Sequence, residues 1–175
     1  MERVVKQRDP AALAEAKARA IEQIERALAA FEMGRAVELA ASAVAEFPGD
    51  ADIASLKART DEAAAKIAEA EKLLAQGRAL CAQQWWDEGF DAMRKALALW
   101  PQYQPARAAL VESLIERSRA LLETDWRAAE PYVQEALELE PGNAIAKSLR
   151  TSVADHRRDE AVVKCFTLAR AHRKA

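Results

Sequence analysis

The sequence predicts an all-α fold, an α-α superhelix of repeated antiparallel helical hairpins followed by a long C-terminal helix. Alanine, leucine, glutamate, lysine and arginine dominate its 175 residues, with only 5 glycines and 6 prolines, which is the composition of long helices. The β-branched and aromatic runs that strands need are missing. A short pattern also recurs: Arg26-Ala27-Leu28, Arg78-Ala79-Leu80 and Arg119-Ala120-Leu121, each followed after a few residues by Met33, Trp86 or Trp126. Recurrence of this kind marks a repeat architecture.

The first helix is expected to start at Asp9-Pro10, a capping carboxylate followed by a proline at the first helical position. Leu13, Ala20, Ile24, Leu28 and Phe31 then fall on one stripe, and Gly34 is read as its end. A second helix runs from about Arg35 to Phe47 and stops at Pro48-Gly49-Asp50, because proline cannot continue the hydrogen-bond ladder. The second helices align residue for residue, Met33 to Pro48, Trp86 to Pro101 and Trp126 to Pro141. Ala36, Gly89 and Ala129 hold one small position and Ala43, Ala96 and Ala136 another, so these are the expected close-packing points.

The closing prolines at 48, 101 and 141 are unevenly spaced. The surplus falls in the first helices, since 51–83 contains no breaker before Gly77. One long helix, or two end to end with a joint near Thr60-Asp61, fits that segment. From Ala144 onward Ile145, Leu149, Val162, Val163 and Phe166 make an apolar stripe interrupted over Ala154–Glu160, and Arg170-Ala171-His172 begins a fourth, partial copy. Pro131 predicts a late start or a kink in the third second helix. One solenoid domain over 1–175 is expected, with repeats at about 10–50, 51–103 and 104–143 and a terminal helix over 144–175, a piece of a larger protein.

The second and third repeats resemble the tetratricopeptide family. The match is Leu73, Gly77, Leu80, Trp86, Gly89, Met93, Ala96-Leu97 and Pro101, then Leu114, Ser118, Leu121, Trp126, Ala129, Val133, Ala136-Leu137 and Pro141. The first repeat matches more weakly, through Ile24, Leu28, Met33, Ala36, Ala40, Ala43-Val44 and Pro48. The family's unit is about 34 residues, shorter than the spacing here. The wording at 121–131 and 142–150 is similar to the tetratricopeptide tails of some large bacterial serine/threonine protein kinases.

The resemblance implies a protein-interaction or scaffold module whose first helices line a groove. It places Arg78 and Arg119, just after Gly77 and Ser118, on that groove, with Arg26 in the corresponding place. Leu74 and Ile115 precede them by one turn, Glu71 and Glu112 by two, and Cys81 and Leu122 follow by one. Such a stripe offers an apolar floor with planar cations, suited to an extended or helical protein or peptide segment carrying carboxylates or phosphate. The plain alternative is that these arginines only pair with neighbouring glutamates on a wet surface. The carboxylate clamp that some members use needs groove asparagines, and Asn143 is the chain's one asparagine. A different reading rests on Val162, Val163 and Phe166, which would join copies of the chain as a homo-oligomer through unpaired long helices.

The formal net charge is −2 with both signs interspersed, which does not favour nucleic acid. No apolar run approaches the roughly eighteen residues of a membrane span, and a soluble, cytoplasmic protein is expected. Cys81 and Cys165 are isolated and show no metal-type spacing, while His156 and His172 lack companion ligands. No cofactor and no metal is therefore expected. His156-Arg157-Arg158-Asp159 has an extra arginine and no downstream asparagine, so it is not a kinase catalytic loop. No catalytic residue stands out, and an enzyme is not expected. Trp85, Trp86, Trp100 and Trp126 mostly fall on packing positions, with Trp85 expected at an exposed turn.

Overall fold

The computed structural model describes residues 10–172. Among them α1 (Pro10–Ala29), α2 (Met33–Glu46), α3 (Ala51–Ala82), α4 (Trp86–Leu99), α5 (Gln104–Leu122), α6 (Trp126–Leu139) and α7 (Ala144–His172) follow one another without a strand. The protein is an all-α helical repeat. The expected cap Asp9 lies outside the described residues, as do the side chains of Ala171 and His172.

The second helices α2, α4 and α6 are each 14 residues long and open on Met33, Trp86 and Trp126, in the register that alignment of the repeats requires. Ala36, Gly89 and Ala129 are buried at the fourth position, and Ala43, Ala96 and Ala136 at the eleventh. Residues seven apart lie on one face of a helix, so small side chains there let the partner backbone approach.

The connections show where single residues were misread. Phe31 does not continue the α1 stripe. It sits past the helix end with φ 58° and is 48 % exposed. The Glu32 amide closes the end onto the Ala27 carbonyl, as the Trp85 amide does onto Leu80 beyond Gln84, whose φ is 66°. Both helices thus end on a left-handed residue, a common helix stop that glycine usually supplies. Gly34, read as that stop, is instead the second residue of α2.

Helices α3 and α7 begin alike. The Asp50 carboxylate accepts from the amides of Asp52 and Ile53 at 3.0 and 3.2 Å. Asn143 accepts from those of Ile145 and Ala146 at 3.1 and 3.0 Å. Each cap satisfies amides that lack a helical acceptor. Both helices run unbroken: α3 continues through Thr60-Asp61, so the first of the two alternatives, one long helix, is the one found, and α7 continues through Ala154–Glu160. Thr60 is fully buried and gives its hydroxyl proton to the Leu56 carbonyl at 2.8 Å, which keeps a buried polar group satisfied within the helix.

Pro131 produces no late start, because α6 begins in the same register as its counterparts. The Asp125 carboxylate holds the Ala128 amide at 3.2 Å and fixes that start. Pro131 is exposed, as is Arg127, whose carbonyl it leaves without a helical donor.

The chain divides into two compact units, with the boundary between Glu69 and Ala70 inside α3. In the first unit Ile24, Ala40, Ala43, Phe47, Ile53 and Leu56 form the core. The second has a larger core, from Ala70 and Leu74 on α3 through Phe90, Met93, Leu110 and Leu114 to Val133, Leu149 and Val153. In this second unit α5 packs against α4, α6 and α7, and α7 also packs against α6.

Candidate functional site

First-helix residues of the second unit meet in two neighbouring clefts. Arg78, Cys81 and Ala82 on α3 face Ala109, Glu112, Ser113 and Glu116 on α5 across a cleft of ≈450 Å³, closed at one end by Gln84 and Trp86. Val111, Glu112, Ile115, Glu116 and Arg119 on α5 form one wall of a second cleft, ≈410 Å³, with Glu140, Asn143 and Ile145 opposite. Glu112 and Glu116 belong to both, so they form the ridge between them. The α5 residues share a face because they recur at intervals of three and four.

Five of the expected groove residues, Arg78, Cys81, Glu112, Ile115 and Arg119, therefore come together. The other four do not line these clefts. Leu74 is 6 % exposed within the core, Leu122 is half-buried against it, and Glu71 is exposed. Arg26 lies on α1 in the first unit and pairs with Glu22 one turn back at 2.7 Å.

Arg78 and Arg119 differ. Among the described residues neither side chain takes part in an ion pair or a hydrogen bond, whereas Arg94, Arg127 and Arg157 on the other helices all engage carboxylates. The cleft floors are apolar: Ile115 is 6 % and Cys81 8 % exposed. Burial pushes the Cys81 thiol up from its ordinary value, with the Ser113 contact opposing and Glu116 reinforcing the shift. At 8 % exposed, the Cys81 side chain packs into the core of the second unit.

Sequence reasoning missed Glu116, Glu140 and Asn143. Glu140 and Asn143 reach the site only because α7 packs against α5, a contact between helices distant in sequence. The two clefts therefore hold two arginines and three glutamates, a surface of mixed charge.

Most of the aromatic residues pack against one another or against arginine. Trp86 and Tyr132 flank Phe90 with ring centroids at 6.0 and 5.4 Å, and the Arg117 guanidinium lies 5.7 Å from the Trp86 centroid. Trp100 stacks on Tyr103 at 4.4 Å. Trp85, just before α4, is 58 % exposed. Among the described residues no group of three or more His, Cys, Asp or Glu is placed to hold a metal ion, and no helix is long and apolar enough to cross a membrane.

No family model, curated protein or solved structure matches the chain.

Proposed function

We propose that the chain is a protein-interaction module of the tetratricopeptide kind, binding an extended or helical protein segment over the clefts of α3, α5 and the start of α7. The observation that carries this reading is the contrast among three equivalent arginines. Arg26 is paired with Glu22, while Arg78 and Arg119 stand beside an apolar floor without a carboxylate partner. A guanidinium left open beside apolar surface is suited to a bidentate carboxylate contact from a ligand.

The glutamates refine the partner. A uniformly acidic segment would meet Glu112, Glu116 and Glu140, so the segment carries carboxylates toward the two arginines and cationic or donor groups toward these glutamates. The resemblance to kinase tails supports a regulatory, non-enzymatic role, with any catalysis elsewhere in a parent protein, in the cytoplasm.

The test is selection of binding peptides from a displayed random library against the full chain. With Arg78→Glu and Arg119→Glu together, the selected peptides should bind at least roughly a hundredfold more weakly, from about 1.5–3 kcal/mol per charged hydrogen bond, with helicity and melting unchanged. Selected peptides that bind the double variant equally well would sink this reading.

A second reading, self-association through α7, is favoured by the exposure of Val162, Val163 and Phe166 at 47, 63 and 66 %. Its signature is a solution mass above 19.3 kDa that Val163→Asp or Phe166→Asp returns to that of a single chain.

A further inference from the structure

The two clefts are lined for different side chains, although Glu112 and Glu116 on their shared ridge border both. In the cleft between α5 and the start of α7, the polar groups opposite α5 are already engaged. The Asn143 side-chain amide donates to the Glu140 carboxylate at 3.0 Å, and the Asn143 side-chain oxygen caps α7. What remains there is apolar. Val111 and Ile115 are buried, at 3 and 6 % exposed, and Ile145 stands with them at 45 %. A large aliphatic group half in water at a concave surface is a place for another apolar side chain to cover.

The cleft between α3 and α5 has no such aliphatic wall. Glu112 and Glu116 stand one turn apart on α5, both exposed, and among the described residues neither side chain takes part in an ion pair or a hydrogen bond. Like charges at that spacing repel each other, so a cation brought to them relieves the repulsion. Trp86 and Ala109 give a wall along which the aliphatic stem of a lysine or arginine can lie while its charged head stays with the carboxylates. An apolar side chain in this cleft would strip water from the two carboxylates without replacing its hydrogen bonds.

We infer, resting on the interaction function proposed for these clefts, that the bound segment carries a basic residue for the α3–α5 cleft and a bulky apolar residue for the α5–α7 cleft, at a fixed spacing and in one order. Glu116 and Ile145 are the residues that set this preference. The clefts lie on either side of α5, and a helix with its side chains is about 10 Å across. A polyproline-II segment rises about 3.1 Å per residue with three residues per turn, so residues three apart share a face at about 9 Å from each other. An α-helix rises about 1.5 Å per residue, so residues seven apart share a face at about 10.5 Å. A β-strand fits less well, since its residues three apart point to opposite faces. The spacing is therefore three or seven.

The probe is a displayed library of random peptides, selected on the full chain and then on two variants at exposed positions. Peptides selected on the parent, aligned on their basic residue, should show an apolar residue enriched three or seven positions away. Glu116→Lys gives Glu112 an oppositely charged neighbour one turn on, so the fold is kept. The parent's peptides should bind that variant at least about tenfold more weakly, and selection repeated on it should drop the basic residue and keep the apolar one. Ile145→Glu places an acid in the first turn of α7, which has none and which favours one. Selection on this variant should drop the apolar residue and keep the basic one. Parent-selected peptides that bind both variants within about twofold of the parent, or whose basic and apolar residues keep no fixed spacing, would overturn the inference. If those same peptides still lose affinity with Arg78→Glu and Arg119→Glu together, the interaction function stands without it. A library that yields no binding peptide overturns both.

Discussion

Gly77 and Gly89 meet backbone to backbone where α3 crosses α4. A Cβ on Gly77 would lie 2.6 Å from the Met93 Cγ and 2.9 Å from the Gly89 carbonyl oxygen, and one on Gly89 would lie 2.4 Å from the Cys81 Sγ and 3.0 Å from the Gly77 carbonyl oxygen. Two effects oppose each other on replacing either by alanine. Helix propensity favours alanine by about 1 kcal/mol, while overpacking a filled interface costs typically about 1–3 kcal/mol. Because a backbone carbonyl stands on each side, relaxation requires moving a helix, and overpacking wins.

Gly77→Ala and Gly89→Ala are therefore expected to destabilise the second unit by up to about 2 kcal/mol net. Gly34→Ala is the control: it lies in the first turn of α2 with nothing within 4 Å of its would-be Cβ. That variant should be neutral or more stable by up to roughly 1 kcal/mol. Denaturant midpoints for the three variants check the order. A Gly77→Ala chain as stable as Gly34→Ala would mean that α3 and α4 are not held at this distance.

These glycines also show how much was legible in the sequence. The small positions Gly89, Ala36 and Ala129 could be placed because alignment of three second helices turned a weak composition signal into a register, and the structure keeps that register. Element ends without a repeat to calibrate them were misread. Phe31 and Gln84 occupy the left-handed helix stop that glycine normally marks, so Gly34, the nearest glycine, drew the boundary away from Ala29. The site was half legible for a similar reason. Arg78 and Arg119 followed from the resemblance to the tetratricopeptide pattern, carried onto the first-helix register. Glu140 and Asn143 come from the turn before α7 and join the clefts only through tertiary packing, and no spacing rule connects them to α5.

Arg94 joins α4 to α6 through a two-pronged contact with Glu135, Nε and Nη2 reaching the two carboxylate oxygens at 2.8 and 2.7 Å. The arginine side chain is 43 % and the glutamate 24 % exposed, so solvent screens much of the attraction. A double-mutant cycle of Arg94→Ala and Glu135→Ala is expected to give a coupling of about 0.5–1 kcal/mol in dilute buffer, reduced severalfold in about 1 M salt. A coupling near zero at both ionic strengths would show that the ordered geometry adds no stability.

In the first unit, Asp50 both caps α3 and pairs with Lys17 at 2.7 Å. The Lys17 ammonium and the α3 amides hold the Asp50 carboxyl below its ordinary value, and Asp50 and Asp52 hold Lys17 above its own. The depressed carboxyl contributes stability that is fully present above the unfolded aspartate value of about 3.9 and is lost as pH falls through the lower folded value. The raised ammonium contributes below the unfolded lysine value of about 10.4, with loss only as pH rises through the higher folded one. Asp50→Asn keeps a capping oxygen but removes the charge. It should be less stable than the parent at pH 7, and the difference should shrink steadily below about pH 4. Thermal melts of both proteins from neutral to acid pH check this, and a difference that does not change with pH would place the effect in the cap alone.

Gln84 ends α3 in a left-handed conformation at φ 66°. For most residues other than glycine that region costs about 1 kcal/mol or more. Its amide bonds to the Cys81 carbonyl at 2.9 Å, and the next amide, on Trp85, to Leu80 at 3.0 Å, so the turn is held by backbone bonds that a substitution retains. Gln84→Gly should relieve the strain, offset in part by the greater freedom of glycine in the unfolded chain, for a net gain of about 0.5 kcal/mol. Gln84 also lines the cleft beside Arg78 and Trp86, so the same variant distinguishes stability from binding. If the clefts bind a segment through Arg78, a more stable Gln84→Gly chain should keep peptide affinity within about twofold of the parent, under 0.5 kcal/mol. A gain in stability accompanied by loss of binding would make the Gln84 side chain part of the recognition surface.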